Sequence, residues 1–269
     1  MSQIDETFTR LKKEGKKAFI AYITAGDPTL EKTRELLIEL EKRGVDIIEL
    51  GIPFSDPMAD GPVNQASAQR ALENNVSMAD VFELVHDFRR TSQIPIVFFT
   101  YFNPVHRFGL KRFVDTAADA GVDGSLVLDL PPEEGGEYRE RMQKGGVDTI
   151  FLVTPTTRDA RMKMLTDCTS GFVYCVSRTG VTGERAQMSD SLGVLVSRIK
   201  SHTDKPVAVG FGISQPEQAG QVAALADAVV VGSAINRRIE EFNHTPDMVT
   251  RVGDFVESLV VPVKQVRAS

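Results

Sequence analysis

Cysteine is scarce in this chain: 269 residues carry two, Cys168 and Cys175, without CxxC spacing, so no disulfide framework is expected. Cys175 lies inside an apolar run, where cysteine reads as a small buried hydrophobe. No run of 18 apolar residues exists, which excludes a transmembrane helix. The N-terminal MSQIDETFTRLKKEGKK is polar, mixed in charge and without an apolar h-region, so no secretory signal is expected. Positive charge is not in excess either. A net charge of −6 and a pI near 5.4 leave no electrostatic footprint for nucleic acid, although local donors could still hold an anionic substrate. No Ser/Pro-rich linker or low-complexity stretch divides the chain, so no internal domain boundary is placed. The expectation is one cytoplasmic, soluble, metal-free domain.

What the chain does have is eight short apolar runs: AFIAYIT (18–24), DIIELGI (46–52), PIVFFTY (95–101), GSLVLDL (124–130), DTIFLVT (148–154), GFVYCVS (171–177), PVAVGFG (206–212) and DAVVVGS (227–233). They do not alternate polar with apolar, and continuous runs mark strands covered on both faces, as in parallel sheets. Amphipathic segments separate them. LEKTRELLIELEKRG (30–44) groups Leu37, Ile38 and Leu40 on one side and stops at Gly44. SMADVFELVHDFRR (77–90) opens with Ser77 and Asp80 in near capping-box spacing. Residues 110–121, 132–145, 159–168, 189–202 and 215–226 repeat the pattern, and a longer helical stretch over 245–260 closes the chain. Eight strand-helix pairs at this length predict an α/β fold, a single (β/α)8 barrel over residues 1–269 with an extra N-terminal helix. An open doubly wound sheet is the structural rival on periodicity alone. Two connections are long, 53–76 and 178–188, and barrel enzymes keep their function in loops after strands.

Glycines cluster where the last three strands end, in SRTGVTG (177–183), GFGIS (210–214) and VGSAI (231–235). Backbone N–H groups approach an anion closely at such places and a helix start adds its dipole, so a phosphorylated small molecule is the expected ligand. Tight turns alone would also use glycine. Three carboxylates gather in IIELGIPFSDPMADGP (47–62). Glu49 sits in an apolar strand; if Ile47, Glu49 and Gly51 point inward, it enters the barrel mouth, where burial raises a carboxyl pKa and suits it to proton transfer. A buried glutamate neutralised by a structural partner is the alternative. Asp60 lies in the following loop, where aspartates often cap helices or form turns.

ELGIPFSDPMADGP closely resembles the signature of the tryptophan synthase alpha subunit. AYITAGDP (21–28), DLPPEE (129–134), VYCVSRTGVTG (173–183), GFGIS (210–214) and VVGSAI (230–235) match in order and spacing along the whole chain. The resemblance implies a (β/α)8 lyase that cleaves indole-3-glycerol phosphate to indole and glyceraldehyde 3-phosphate. It implies no cofactor in this chain and a beta subunit as partner, in an alpha2-beta2 complex, using pyridoxal phosphate to join indole to serine. By position, the catalytic acids fall on Glu49 and Asp60, with Tyr174 a helper near Glu49 or simply a buried tyrosine. Substrate phosphate falls to Gly183, Gly212, Gly232 and Ser233. Tyr22, Phe99, Leu126 and Phe211 are candidates for the indole slot, although each also reads as barrel core. Tyr101 and Asp129 match polar pocket positions; Asp129 is expected to touch the loop holding Asp60, with a helix cap as its alternative role.

Asp56 and Pro57 match loop residues that face the beta subunit, and Thr182 belongs to the second functional loop; a turn aspartate before proline is the plainer reading of Asp56. Three departures from the family pattern stand out: Thr179 for a common Ala, Asn64 for a frequent apolar residue and Tyr22 for a common Phe. None removes a catalytic group. A stand-alone lyase that releases free indole, and a weakly catalytic barrel that activates a partner, are the rival functions.

Overall fold

The computed structural model describes residues 1–176, 185–210 and 212–267, with backbone alone over 185–190. Its parallel strands are β1 (Ala18–Thr24), β2 (Ile47–Gly51), β3 (Ile96–Thr100), β4 (Gly124–Val127), β5 (Asp148–Thr149), β6 (Leu152–Val153), β7 (Val173–Val176), β8 (Val207–Gly210) and β9 (Ala228–Val231). The sheet order is β5-β4-β3-β2-β1-β9-β8-β7-β6. The fifth apolar run has become two short strands, one at each end of that order. The residues between them join the ends: Ile150 N–H donates to Ser125 O at 3.1 Å and Tyr174 N–H to Phe151 O at 3.2 Å. The sheet is therefore a closed (β/α)8 barrel, and the open-sheet rival is set aside.

Continuous apolar runs are what a barrel wall demands, because both faces are covered. Outward side chains such as Phe19, Ile48, Phe98 and Val209 pack under the helices in the larger core. Inward ones, among them Ile20, Ile47, Val97, Leu126, Ile150, Phe172 and Val230, form a second core inside the barrel. Helix α1 (Gln3–Lys13) completes that inner core from below: Ile4, Phe8 and Leu11 belong to it, and the Phe8 and Phe172 rings lie 6.0 Å apart. A capping box between Ser2 and Asp5 starts this helix.

The remaining helices are α2 (Leu30–Lys42), α3 (Pro62–Glu73), α4 (Met78–Phe88), α5 (Phe102–Phe108), α6 (Leu110–Ala120), α7 (Gly136–Lys144), α8 (Asp159–Cys168), α9 (Arg185–Lys200), α10 (Pro216–Ala223), α11 (Ser233–Phe242) and α12 (Met248–Gln265). The capping box expected at Ser77 and Asp80 is present. Four expectations need correction. In α2 the buried face is Thr33, Leu36, Leu37 and Leu40, and Ile38 is exposed, because two residues of helix turn it about 200° from Leu40. The connection 53–76 is not one loop: Pro62 occupies the first turn of α3 after Gly61, where its fixed φ and missing N–H cost nothing, and the helix buries Ser67, Ala68 and Ala71. The second long connection is shorter than 178–188, since α9 begins at Arg185. Helix α7 starts at Gly136 rather than 132, after a turn in which Glu134 and Gly135 donate to Pro131 O.

Candidate active site

Glu49 occupies the middle of β2, paired with Tyr22 of β1 on one side and Val97 of β3 on the other. It is fully buried, and neither carboxylate oxygen has a hydrogen-bond partner among the described residues. Burial alone pushes its pKa from the ordinary 4.5 up to about 8. Among the described residues the structural-partner alternative is thus not met: none of them supplies a cation or donor that neutralises this acid. Burial also raises Tyr22 and Tyr174, and the charges of Glu49 and Asp60 both add to the shift at each phenol. The two acids and two tyrosines therefore share one electrostatic neighbourhood.

Space for the Tyr22 ring comes from glycine. A Cβ on Gly51 would lie 2.4 Å from the Tyr22 hydroxyl, and one on Gly232 would lie 3.0 Å from the ring. The Tyr22 and Phe99 rings meet edge to face with centroids 4.9 Å apart, so two of the expected slot residues form one aromatic wall. Leu126 is buried within the inner core, whereas Leu128, two residues further along the chain, is partly exposed there. Tyr174 is partly exposed on the same inner face.

Asp60 stands just ahead of α3, half-buried, and two donors hold its carboxylate. Tyr101 OH donates to Oδ2 at 2.8 Å and Asn64 Nδ2 to Oδ1 at 3.4 Å. Burial raises its pKa, and these two hydrogen bonds oppose the rise. The Tyr101 oxygen also accepts the Ala59 N–H at 3.0 Å, and its ring lies 5.3 Å from Phe54, so one phenol fastens the loop at three residues. Among the described residues, Asp129 makes no hydrogen bond to that loop. Its Oδ1 accepts the Phe102 N–H at 2.6 Å and caps α5, whose N-cap residue is Tyr101. Its link to Asp60 is indirect, through the placement of Tyr101. Asp56 is exposed and accepts from Ser55 at 2.6 Å; Pro57 is half-buried beside it, and Met58 is 91% exposed.

Sequence reasoning missed the residues that hold α3. Asn236 of α11 is fully buried and donates to Asn64 Oδ1 at 3.1 Å and Thr24 Oγ1 at 3.4 Å. Asp27, also fully buried, accepts Arg70 Nε at 2.8 Å, Arg70 Nη2 at 2.7 Å and Ser67 Oγ at 2.5 Å, and Arg70 reaches on to Glu240 at 2.9 Å. A buried charge needs such a bidentate partner. The signal available was Asp27 within AYITAGDP; Asn236 offered none, since one polar residue in a helical pattern usually faces solvent.

At the other end of the mouth, Gly212 has φ +76°, a conformation that suits glycine. Gly232 is the N-cap of α11, Ser233 its first residue, and no side chain among the described residues caps that helix start. Gly183, Thr182, Thr179 and Phe211 lie outside the described residues. Among the described residues no group of three or more His, Cys, Asp or Glu side chains is placed to hold a metal ion, and no helix is long and apolar enough to cross a membrane.

A model of the family described as tryptophan synthase alpha chain matches residues 8–262. The tryptophan synthase alpha chain of Geotalea uraniireducens (strain Rf4) is 49% identical over 266 residues, 99% of each chain. That of Caldanaerobacter subterraneus subsp. tengcongensis is 46% identical over 96% of this chain and 98% of its own. Among solved structures, tryptophan synthase subunit alpha from Legionella pneumophila str. Paris superposes with a TM-score of 0.91 at 38% identity, covering 98% of both chains. A chain in the tryptophan synthase complex from Pyrococcus furiosus superposes at 0.81 with 40% identity, covering 91% of this chain and 99% of that one.

Proposed function

The chain belongs to the tryptophan synthase alpha chain family, and from that premise we propose how its side chains carry the reaction. The enzyme is a lyase of tryptophan biosynthesis that cleaves indole-3-glycerol phosphate to indole and glyceraldehyde 3-phosphate. The bond to be broken joins indole C3 to a glycerol carbon, and indole leaves badly as a C3 carbanion. Protonation at C3 removes the difficulty, because the resulting indolenine can take the bonding electrons at its ring nitrogen. Glu49 delivers that proton. Its carboxylate then accepts the proton of the side-chain hydroxyl as the carbon–carbon bond breaks, the carbonyl of glyceraldehyde 3-phosphate forms and indole regains its aromatic ring. Asp60 accepts a hydrogen bond from the indole N–H and stabilises the positive charge that develops there.

One observation carries this reading: a fully buried carboxyl without a partner among the described residues, pushed up to about pKa 8 by burial. Such a group is protonated at neutral pH, as a proton donor must be, and its conjugate base is strong enough to take the hydroxyl proton. Asp60 has the opposite need. Two donors on its carboxylate favour the ionised form that a developing cation requires. Tyr174 assists near Glu49. Tyr22 and Phe99 line the indole slot with Leu126 and Phe211, and Gly183, Gly212, Gly232 and Ser233 take the phosphate, the uncapped start of α11 contributing N–H groups and dipole. No cofactor is assigned to this chain, and pyridoxal phosphate belongs to the beta subunit.

A beta subunit in an alpha2-beta2 complex is part of the same proposal, as is a cytoplasmic location. The exposed Asp56 and Met58 sit on the loop that carries Asp60, so a partner covering the former would order the latter. Asp56→Ala should then blunt activation by the beta subunit; full activation would remove the idea. The catalytic assignment is tested by indole release from indole-3-glycerol phosphate. Glu49→Gln and Asp60→Asn should each lower kcat by about 10²- to 10⁴-fold. Wild-type turnover in Glu49→Gln would refute the acid-base role.

A further inference from the structure

We propose that Asn64 and Asn236 act as a pair of positioning residues that register Asp60 against the phosphate-facing start of α11 and keep its carboxylate ionised. The inference rests on the catalytic role given to Asp60 above and names two residues outside that role.

The chain of contacts runs through two amides. Asn236 lies three residues beyond Ser233 on α11, fully buried, and its Nδ2 donates both to Thr24 Oγ1 at 3.4 Å and to Asn64 Oδ1 at 3.1 Å. With its oxygen occupied in this way, the Asn64 side chain turns its Nδ2 toward Asp60, 3.4 Å from Oδ1. An amide in the opposite orientation would present oxygen to a carboxylate and repel it. The buried Asn236 thus sets which face of Asn64 meets the acid. The cost is a stranded acceptor: Asn236 Oδ1 is itself buried without a partner among the described residues. An unpaired buried acceptor is expensive, and apolar side chains at both positions would avoid it. An arrangement retained at that cost calls for a use.

The backbone around the pair is braced. Arg70 ties α3 to Asp27 and to Glu240 of α11, and Gln65 Nε2 donates to Asp60 O at 2.9 Å. The helices α3 and α11 are therefore already joined without the two asparagines, and what the amides add is the donor aimed at Asp60. Among the described residues, the titratable groups that interact with that carboxylate are Tyr101 ahead of α5, Tyr22 of β1 and Tyr174 of β7; Glu49 of β2 acts on the same two strand tyrosines. None of these is a cation, so among the described residues neutral donors alone oppose the burial of Asp60. Removing one raises its pKa, and the ionised form is then lost at a higher pH than before.

The test uses the full chain carrying Asn64→Leu together with Asn236→Leu. Replacing both partners by apolar groups of similar size leaves no orphaned amide, so the fold should be retained and Tm should stay close to wild type. The expected result is a kcat about tenfold lower, a KM for indole-3-glycerol phosphate within about twofold, and an acid limb of the kcat–pH profile moved to higher pH. Each single substitution should shift the acid limb in the same direction, and the double variant should be no worse than the worse single, as expected of one unit. Wild-type kcat with an unmoved acid limb in the double variant would overturn the proposal, because the amides would then only fill space. Asp60→Asn in the same assay separates the two levels. If it keeps wild-type kcat, the catalytic reading of Asp60 falls and the positioning claim with it. If it abolishes turnover while the double leucine variant is unaffected, the positioning claim alone falls.

Discussion

Replacing Glu49 with glutamine should make the protein's stability less sensitive to pH, and the size of the effect follows from burial. The folded carboxyl titrates near 8, against an ordinary 4.5. Between those values the folded state holds a proton that the unfolded chain releases. The stabilisation linked to that proton is fully present below the unfolded pKa and is lost as pH rises through the folded one. Applying the two pKa values to a single site, wild type should lose about 3.5 kcal/mol between pH 5 and pH 8 through this group. Glutamine has the same shape and no titration, so the variant should gain on wild type by that amount across the same interval. Urea unfolding followed by circular dichroism at pH 5, 6, 7 and 8, at constant ionic strength, measures both curves. Parallel curves would refute the reasoning, because they would mean that a partner holds Glu49 in one protonation state throughout. A gap that widens toward acid would reverse its sign and require a cation beside the carboxylate.

Other expected outcomes follow from the same geometry. The ratio kcat/KM should fall by about tenfold per pH unit above pH 8, where the free enzyme loses the Glu49 proton; a flat profile to pH 10 would contradict that role. Tyr101→Phe takes a donor from Asp60 and an acceptor from the Ala59 N–H, so kcat should drop about tenfold, with the acid limb displaced upward. Arg70→Met leaves Asp27 buried with Ser67 as its remaining side-chain partner and should destabilise the protein by about 3–5 kcal/mol in chemical denaturation. A change under 1 kcal/mol would mean that α3 is held by its apolar contacts instead.

The barrel was legible because its signal is collective. Eight unalternating apolar runs constrain the fold even though the fifth divides into β5 and β6, a detail that depends on neighbouring strands. Helix α3 escaped notice because Pro62 and the preceding Gly61 read as loop, while its apolar face consists of the small residues Ala68 and Ala71. Glu49 was legible for the reason that makes it useful: an acid in an apolar strand violates the local rule. Asp60 needed the family resemblance, since a loop aspartate has many ordinary uses. Its support from Asn236 was not legible, because 172 residues separate Asn64 from Asn236 and each is unremarkable alone. Asp129 shows the limit of transfer by position, for its carboxylate does its work on the Phe102 N–H, one residue away from the phenol that matters.

Helix α1 has a bearing on traffic. Ile4, Phe8 and Leu11 stopper the bottom of the barrel, with Gly124 and Gly171 kept bare where a Cβ would press on Ile4. Among the described residues, these side chains fill the lower end of the barrel. The segment that carries Asp56 and Met58 stands at the opposite rim, where β2 ends. If a partner covers that rim, as proposed above, custody of the product would be settled at the threshold and not in the reaction chamber.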